Sequence, residues 1–247
     1  MAGIDNLGIK LFCDGADFDS IMALAGDPRI KGFTTNPTLM RKAGVADYEA
    51  FARRLLSVVR DRPVSFEAFA DDEEAMEMQA LTIAGWGKNV NVKVPVTNQA
   101  GQFMGRLIRQ LSSSGVVLNI TAILTVNQIE QVVQALHPST KAIISVFAGR
   151  IADTGLDPIP VMREARRILG SRPLAELLWA SPRELLNIFQ AEEAGCHIIT
   201  VPPEILKKLN LVGRDLTAYS LETVRMFHLD ACASAYQIDT STVATRF

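Results

Sequence analysis

The sequence predicts an α/β protein folded as one (β/α)₈ TIM barrel with an additional C-terminal helix. Three observations predict it. Eight short apolar runs recur along 247 residues, segments with a 3.6-residue apolar period lie between them, and polar side chains gather at the carboxyl ends of the runs. Regular strand and helix alternation calls for a parallel sheet covered by helices. Eight units in a chain of this length fit a closed barrel and one domain spanning residues 1–247. An open doubly wound sheet is the alternative, but no GxGxxG follows the first strand to favour it.

The first strand is IKLFCD (9–14), and the second, GFTT (32–35), is short and ends in two threonines. VSFEAF (64–69) follows Pro63, VNVKVP (90–95) ends on its own proline, and VVLNIT (116–121) follows Gly115, so turn residues punctuate each boundary. AIISVF (142–147), LLWAS (177–181) and HIIT (197–200) complete the set. Helices are expected at Ala46 to Arg60, Asp72 to Trp86, Gln99 to Ser113, Val126 to Leu136, Pro160 to Leu169 and Arg183 to Ala194. The segment Ala148 to Pro160 reads as the longest loop, and long loops after barrel strands commonly carry function. Beyond the eighth unit, Leu221, Val224, Phe227 and Tyr236 mark a helical tail at about 220–236, suited to packing on the barrel or on a neighbouring subunit.

Composition narrows the functional classes. The chain is 48% hydrophobic and 21% charged with a formal charge of −2, the balance of an ordinary soluble enzyme without the basic excess of a nucleic-acid or anionic-membrane binder. The start MAGIDNLGIKLF lacks a basic segment followed by an apolar core, and no apolar run approaches the roughly 20 residues that span a bilayer, so a cytoplasmic location is expected. Cys13, Cys196 and Cys232 lack CxxC spacing, and His137, His197 and His228 lack HxH or HExxH spacing, so neither a disulfide framework nor a metal site is indicated. Cys13 and Cys196 read as core residues, and His137 and His197 as structural.

Strand parity locates the polar residues. In the fourth strand Val90, Val92 and Val94 take the helix-facing side, which leaves Asn91 and Lys93 inside the barrel. The same rule turns Ser65 and Glu67, Asn119 and Thr121, and Ser145 and Phe147 inward. With Asp14, five strand ends then bring an amine, two carboxylates, an amide and hydroxyls to one barrel mouth. For stability alone that grouping is expensive, although a lone strand-end lysine could simply snorkel to water.

Chemistry gives the grouping a purpose. A lysine among apolar walls loses ammonium solvation, which lowers its pKa and frees the amine to attack a ketone as a Schiff-base nucleophile. Glu67 with Thr121 can position a water for the proton transfers of dehydration, and Asp14 can take the hydroxyl proton whose removal breaks a carbon–carbon bond. Arg150, just beyond the sixth strand, and Ser181 with Arg183, at a helix start beyond the seventh, suit a phosphate. Either arginine alone would as readily be a surface ion pair.

Taken in order, FTTNPTLM, VSFEA, NVKVP, LNITAI, ISVFAGRIADTG and WASPREL resemble the strand-end motifs of the transaldolase family of class I aldolases, along nearly the whole chain. The length is similar to its small group, which includes fructose 6-phosphate aldolase. The resemblance implies that Lys93 is the Schiff-base lysine, Asp14 the acid/base group, and Glu67 with Thr121 the holders of a catalytic water. It implies that Asn36 and Asn119 bind substrate hydroxyls, and that Ser145, Arg150, Ser181 and Arg183 bind phosphate. Glutamate at 67 and phenylalanine at 147 resemble true transaldolases, where the aldolases carry glutamine and tyrosine. Val146, Ala148, Gly15 and Pro182 depart from the family pattern, at positions that touch acceptor size and phosphate geometry.

The implied activity is transfer of a dihydroxyacetone unit from a ketose phosphate to an aldose phosphate, with no cofactor, in the sugar-phosphate metabolism typified by the pentose phosphate pathway. A lyase releasing free dihydroxyacetone and a catalytically silent sugar-phosphate-binding protein are the competing readings. The resemblance also implies a homo-oligomer, a ring such as a pentamer or decamer interlocked by the C-terminal helix.

Overall fold

Apolar β-branched runs become strands here because both of their faces are covered, by helices outside and by one another's side chains within. The computed structural model describes residues 7–240. Its strands are β1 (Lys10–Asp14), β2 (Ile30–Thr34), β3 (Val64–Glu67), β4 (Val90–Pro95), β5 (Leu118–Ile123), β6 (Ala142–Val146), β7 (Ala175–Trp179) and β8 (Ile198–Val201). They pair in chain order and β1 pairs in parallel with β8, so the sheet is a closed barrel and not an open doubly wound sheet. Each expected run overlaps a strand, with ends displaced by up to two residues.

The six expected helices correspond to α3 (Tyr48–Val58), α4 (Glu73–Ala84), α5 (Gly105–Ser113), α6 (Val126–Ala135), α8 (Ile159–Leu169) and α9 (Leu186–Glu193). Caps explain several starts. Asp47 and Asp72 accept backbone N–H bonds from Ala50 and Ala75, and Thr125 with Gln128 forms a reciprocal capping box. The α5 start falls six residues later than its apolar period suggests. Thr97 and Phe103 form an antiparallel bridge, and the Asn98 side chain binds Gln102, so this stretch is a tight turn.

Four helices were not anticipated: α1 (Phe18–Ala25), α2 (Pro37–Lys42), α7 (Ala148–Ala152) and α10 (Pro203–Leu206). The last runs into a 3₁₀ turn over Lys207–Leu211. Three of them, α2, α7 and α10, are too short to show an apolar period, and caps announce α1 and α2. Asp17 caps α1, and Asn36 followed by Pro37 caps and opens α2. The expected loop at 148–160 therefore begins as a helix, with α7 placing Arg150 within its single long turn.

Two apolar clusters follow from strand parity. The larger lies between sheet and helices and includes Val92, Val94, Leu118, Ile120 and Phe66. The smaller fills the barrel itself with Phe12, Ile143, Leu178, Ala180 and Ile198, and Phe147 packs against it. Gly32 makes room for this inner layer, because a Cβ there would lie 2.5 Å from the Phe12 ring. Cys13 and Cys196 are buried, which pushes both thiols up to about 12. They are core residues, as their apolar surroundings suggested.

The C-terminal helix α11 (Leu216–Ala233) starts four residues before the expected tail, capped by Asp215. None of its residues is buried, and Leu221, Val224 and Phe227 are exposed. Of the two packings the sequence allowed, the one against this chain's own barrel is therefore not adopted.

Candidate active site

At the carboxyl ends of the strands lies a cavity of about 520 Å³ lined by Asp14, Asn36, Glu67, Lys93, Asn119 and Thr121, and by Ser145, Phe147, Arg150, Ser181 and Arg183. All eleven residues singled out from the sequence thus reach one cavity. Sheet register brings the key ones side by side: Glu67 lies opposite Lys93 on β3 and β4, and Lys93 opposite Asn119 on β4 and β5.

Lys93 is only 7% exposed. Its surroundings are not the apolar walls foreseen from sequence, because Nζ lies 3.0 Å from a Glu67 carboxylate oxygen and donates to the Thr35 carbonyl at 2.9 Å. A buried amine needs such partners. Glu67 is itself fixed at its backbone. The Tyr48 hydroxyl donates to its carbonyl at 2.9 Å and accepts from its N–H at 2.7 Å, while the Tyr48 ring packs edge-on against Phe66 and Phe69.

Asp14 accepts a 2.7 Å bond from Thr34, whose hydroxyl also contacts Thr200. Burial pushes the Asp14 carboxyl above its usual range, and the positive charge of Lys93 and the Thr34 bond pull it back in part. Thr34 and Thr200 were not singled out from the sequence. Their inward parity on β2 and β8 was the available signal.

Across the barrel, Ser145 donates to Asn119 Oδ1 at 2.6 Å and Asn119 Nδ2 donates to Ser65 at 3.1 Å. This chain fixes the amide. Thr121 Oγ1 is buried with no hydrogen-bond partner among the described residues, an arrangement that calls for a water or substrate oxygen. The strand is distorted just beyond it. The β5–β6 register shifts between Ile120 and Ile123, and Ala122 has φ of 62°, a bulge of the kind that re-aims neighbouring side chains. Asn36 spends Oδ1 on capping Leu39 N–H at 2.9 Å, so Nδ2 is its remaining polar group.

The cationic side differs from expectation in detail. Arg150 is exposed, with its guanidinium carbon 5.3 Å from the Phe147 ring centre. Arg183 is paired with Asp153 through both carboxylate oxygens, which holds that carboxyl below its usual range. Helix α9 begins at Leu186, and the N–H groups of Arg183 and Glu184 bind the Asn187 side chain. They are not free helix-end donors. Lys42, at the end of α2, also lines the cavity and was not anticipated, because its helix was not.

Gly149 sets how closely the Arg150 helix approaches the Ser181 loop. A Cβ on Gly149 would fall 1.5 Å from the Ser181 carbonyl oxygen, and Ser181 itself has φ of 60°. Gly149→Ala is therefore expected to force the two segments apart, costing about 1–3 kcal/mol by thermal unfolding. It should also raise KM for a phosphorylated substrate more than for its unphosphorylated analogue.

Among the described residues no group of three or more His, Cys, Asp or Glu is arranged to hold a metal ion.

The geometry agrees with what the chain is similar to. A family model described as transaldolase/fructose-6-phosphate aldolase matches residues 11–247. A probable transaldolase of Clostridium acetobutylicum is 34% identical over 215 residues, covering 87% of this chain and 94% of its own. Probable transaldolase 2 of Listeria monocytogenes is 32% identical over 202 residues, covering 81% and 88%. Solved structures share the fold at low identity. A protein titled "QR15, an Aldolase" has a TM-score of 0.57 at 12% identity, covering 84% of this chain and 99% of its own. Dihydrodipicolinate synthase from Rhodopseudomonas palustris has a TM-score of 0.54 at 15% identity, covering 90% and 80%.

Proposed function

Since this chain belongs to the transaldolase/fructose-6-phosphate aldolase family, we propose that it is a transaldolase, moving a dihydroxyacetone unit from a ketose phosphate to an aldose phosphate through a Schiff base on Lys93. The observation that carries this reading is the buried amine of Lys93 held 3.0 Å from Glu67, in the cavity that Asp14 and Thr121 also line.

In the proposed sequence, the Lys93 ammonium passes a proton to Glu67 and the free amine attacks the C2 carbonyl. Loss of the carbinolamine hydroxyl as water needs a proton back, which Glu67 supplies directly or through a water held by Thr121. The unpartnered Thr121 hydroxyl supports that role. Asp14 then takes the proton of the C4 hydroxyl, the C3–C4 bond breaks, and its electron pair moves into the iminium to give an enamine. The aldose phosphate leaves, an acceptor aldehyde binds, and the same steps run in reverse before water releases the new ketose phosphate.

Asn119, fixed by Ser65 and Ser145, and the remaining amide of Asn36 are placed to read substrate hydroxyls. Arg150 is the first choice for the phosphate, with Ser145, Ser181 and Arg183 around it. Arg183 engages a phosphate in this reading by exchanging its Asp153 partner. At position 147 the phenylalanine ring offers no hydroxyl to protonate the enamine, which favours keeping the three-carbon unit for transfer.

The same reading places the enzyme in the cytoplasm, in sugar-phosphate metabolism such as the pentose phosphate pathway, as a homo-oligomer of the pentamer or decamer kind. The unburied apolar side chains of α11 support the oligomer, since exposed apolar patches mark interaction surfaces.

Incubation with fructose 6-phosphate and borohydride is expected to leave a reduced three-carbon unit on Lys93, located by peptide mass spectrometry. Turnover should require an added aldose phosphate. An unmodified Lys93 in folded protein would sink the mechanism, and dihydroxyacetone released at full rate without acceptor would make the enzyme a lyase.

A further inference from the structure

The amino-terminal mouth of the barrel, opposite the active site, holds a second cavity of about 770 Å³, within the size range of small-molecule sites. Lys10 on β1, Lys31 on β2, Lys88 ahead of β4 and Lys141 ahead of β6 set its rim. Two carboxylates share that rim and both are already matched: Glu176 accepts from Lys10 at 2.7 Å, and Asp61 lies 3.3 Å from Arg62. Lys31 donates to the Pro28 carbonyl at 2.7 Å. Among the described residues, Lys31, Lys88 and Lys141 have no carboxylate partner.

The interior of this mouth offers neutral donors. Asn91, two residues before Lys93 on the same inward face, is 7% exposed and lines the cavity. Its side-chain amide has no protein hydrogen-bond partner among the described residues and is open to the cavity, where it can meet a ligand. His197 accepts the Leu177 N–H on Nδ1 at 2.8 Å, so in its neutral form the proton sits on Nε2. Phe12 and Ile143 line the cavity and belong to the inner apolar layer, which separates it from Lys93.

We propose that this mouth is a second ligand site, taking a small metabolite with two phosphate groups. In the closed strand order Lys31, Lys88 and Lys141 stand on or ahead of alternate strands, so they spread over about half the rim of an eight-stranded barrel. One phosphate is too compact to meet all three, whereas two phosphates on a sugar-sized frame reach them together with Asn91. The site does not depend on the transaldolase reading, and its failure leaves that reading untouched.

Calorimetry with a hexitol bisphosphate, which has no carbonyl and forms no imine, tests the proposal. In an Arg150→Ala protein, where phosphate binding at the active-site mouth is weakened, saturable binding is expected to persist. Adding Lys88→Ala and Lys141→Ala should weaken it at least about tenfold, as should Asn91→Asp, which keeps size but turns a donor into a negative charge. Both lysines are exposed, so the melting temperature should stay near that of the parent. No binding in the Arg150→Ala protein, or binding unchanged by the two lysine substitutions, would overturn the proposal.

Discussion

Lys93→Met is expected to lower kcat/KM by about 10³-fold or more, because it removes the buried amine that forms the proposed covalent intermediate. Methionine keeps most of the buried stem, and the Glu67 carboxylate it leaves behind still reaches solvent, with 20% of its side chain exposed, so the protein should remain folded. Borohydride trapping should fail at the same time. Lys93→Arg separates charge from chemistry: it keeps a cation beside Glu67 and should be as inactive as the methionine variant. Activity within tenfold of the parent in either protein, measured in a coupled transfer assay, would remove Lys93 from the mechanism.

Asp14→Asn is expected to slow carbon–carbon cleavage by about 10²–10⁴-fold and imine formation far less, a split that rapid-quench trapping resolves. The pH dependence follows from the raised Asp14 carboxyl. As a base it works deprotonated, so the rate falls as pH drops through that raised value. Thr34→Val removes a bond that holds the carboxyl down, and the acid limb of kcat/KM should move to higher pH. Stability has the opposite sign. The folded protein prefers the protonated carboxyl, so this group costs stability as pH rises from its unfolded value through its folded one, and the cost remains above both. The Asp14→Asn protein should melt higher than the parent at pH 8, by a margin that shrinks toward pH 4.

Strand parity carried most of the site's legibility. Once Val92 and Val94 face the helices, Lys93 must face inward, and the same alternation on β3, β5 and β6 brings Glu67, Asn119, Thr121 and Ser145 to it. Parity says nothing about a partner's atom. The Thr35 carbonyl and the Tyr48 clamp on Glu67 come from a strand end and a helix whose contacts depend on tertiary packing, so the apolar setting foreseen for the amine became a polar one. Short helices escaped for a related reason: α2 and α7 span too few turns to print a period. Lys42 went unnoticed with its helix. The start of α9 was placed early because Arg183 and Glu184 are helix-compatible residues, and only the Asn187 side chain shows that their N–H groups are already spoken for.

The Phe12 ring pressed over Gly32 has a kinetic meaning. With Ile143, Leu178 and Ile198 it stops the barrel from being a channel, so the active-site cavity has no entrance along the barrel axis from the amino-terminal end. In the proposed transfer the two aldehydes therefore cannot reach the site from opposite ends of the barrel. In the proposed mechanism the three-carbon unit waits on Lys93 between the two aldehydes, so the covalent intermediate sets a ping-pong order that both aldehydes follow through the carboxyl-end mouth.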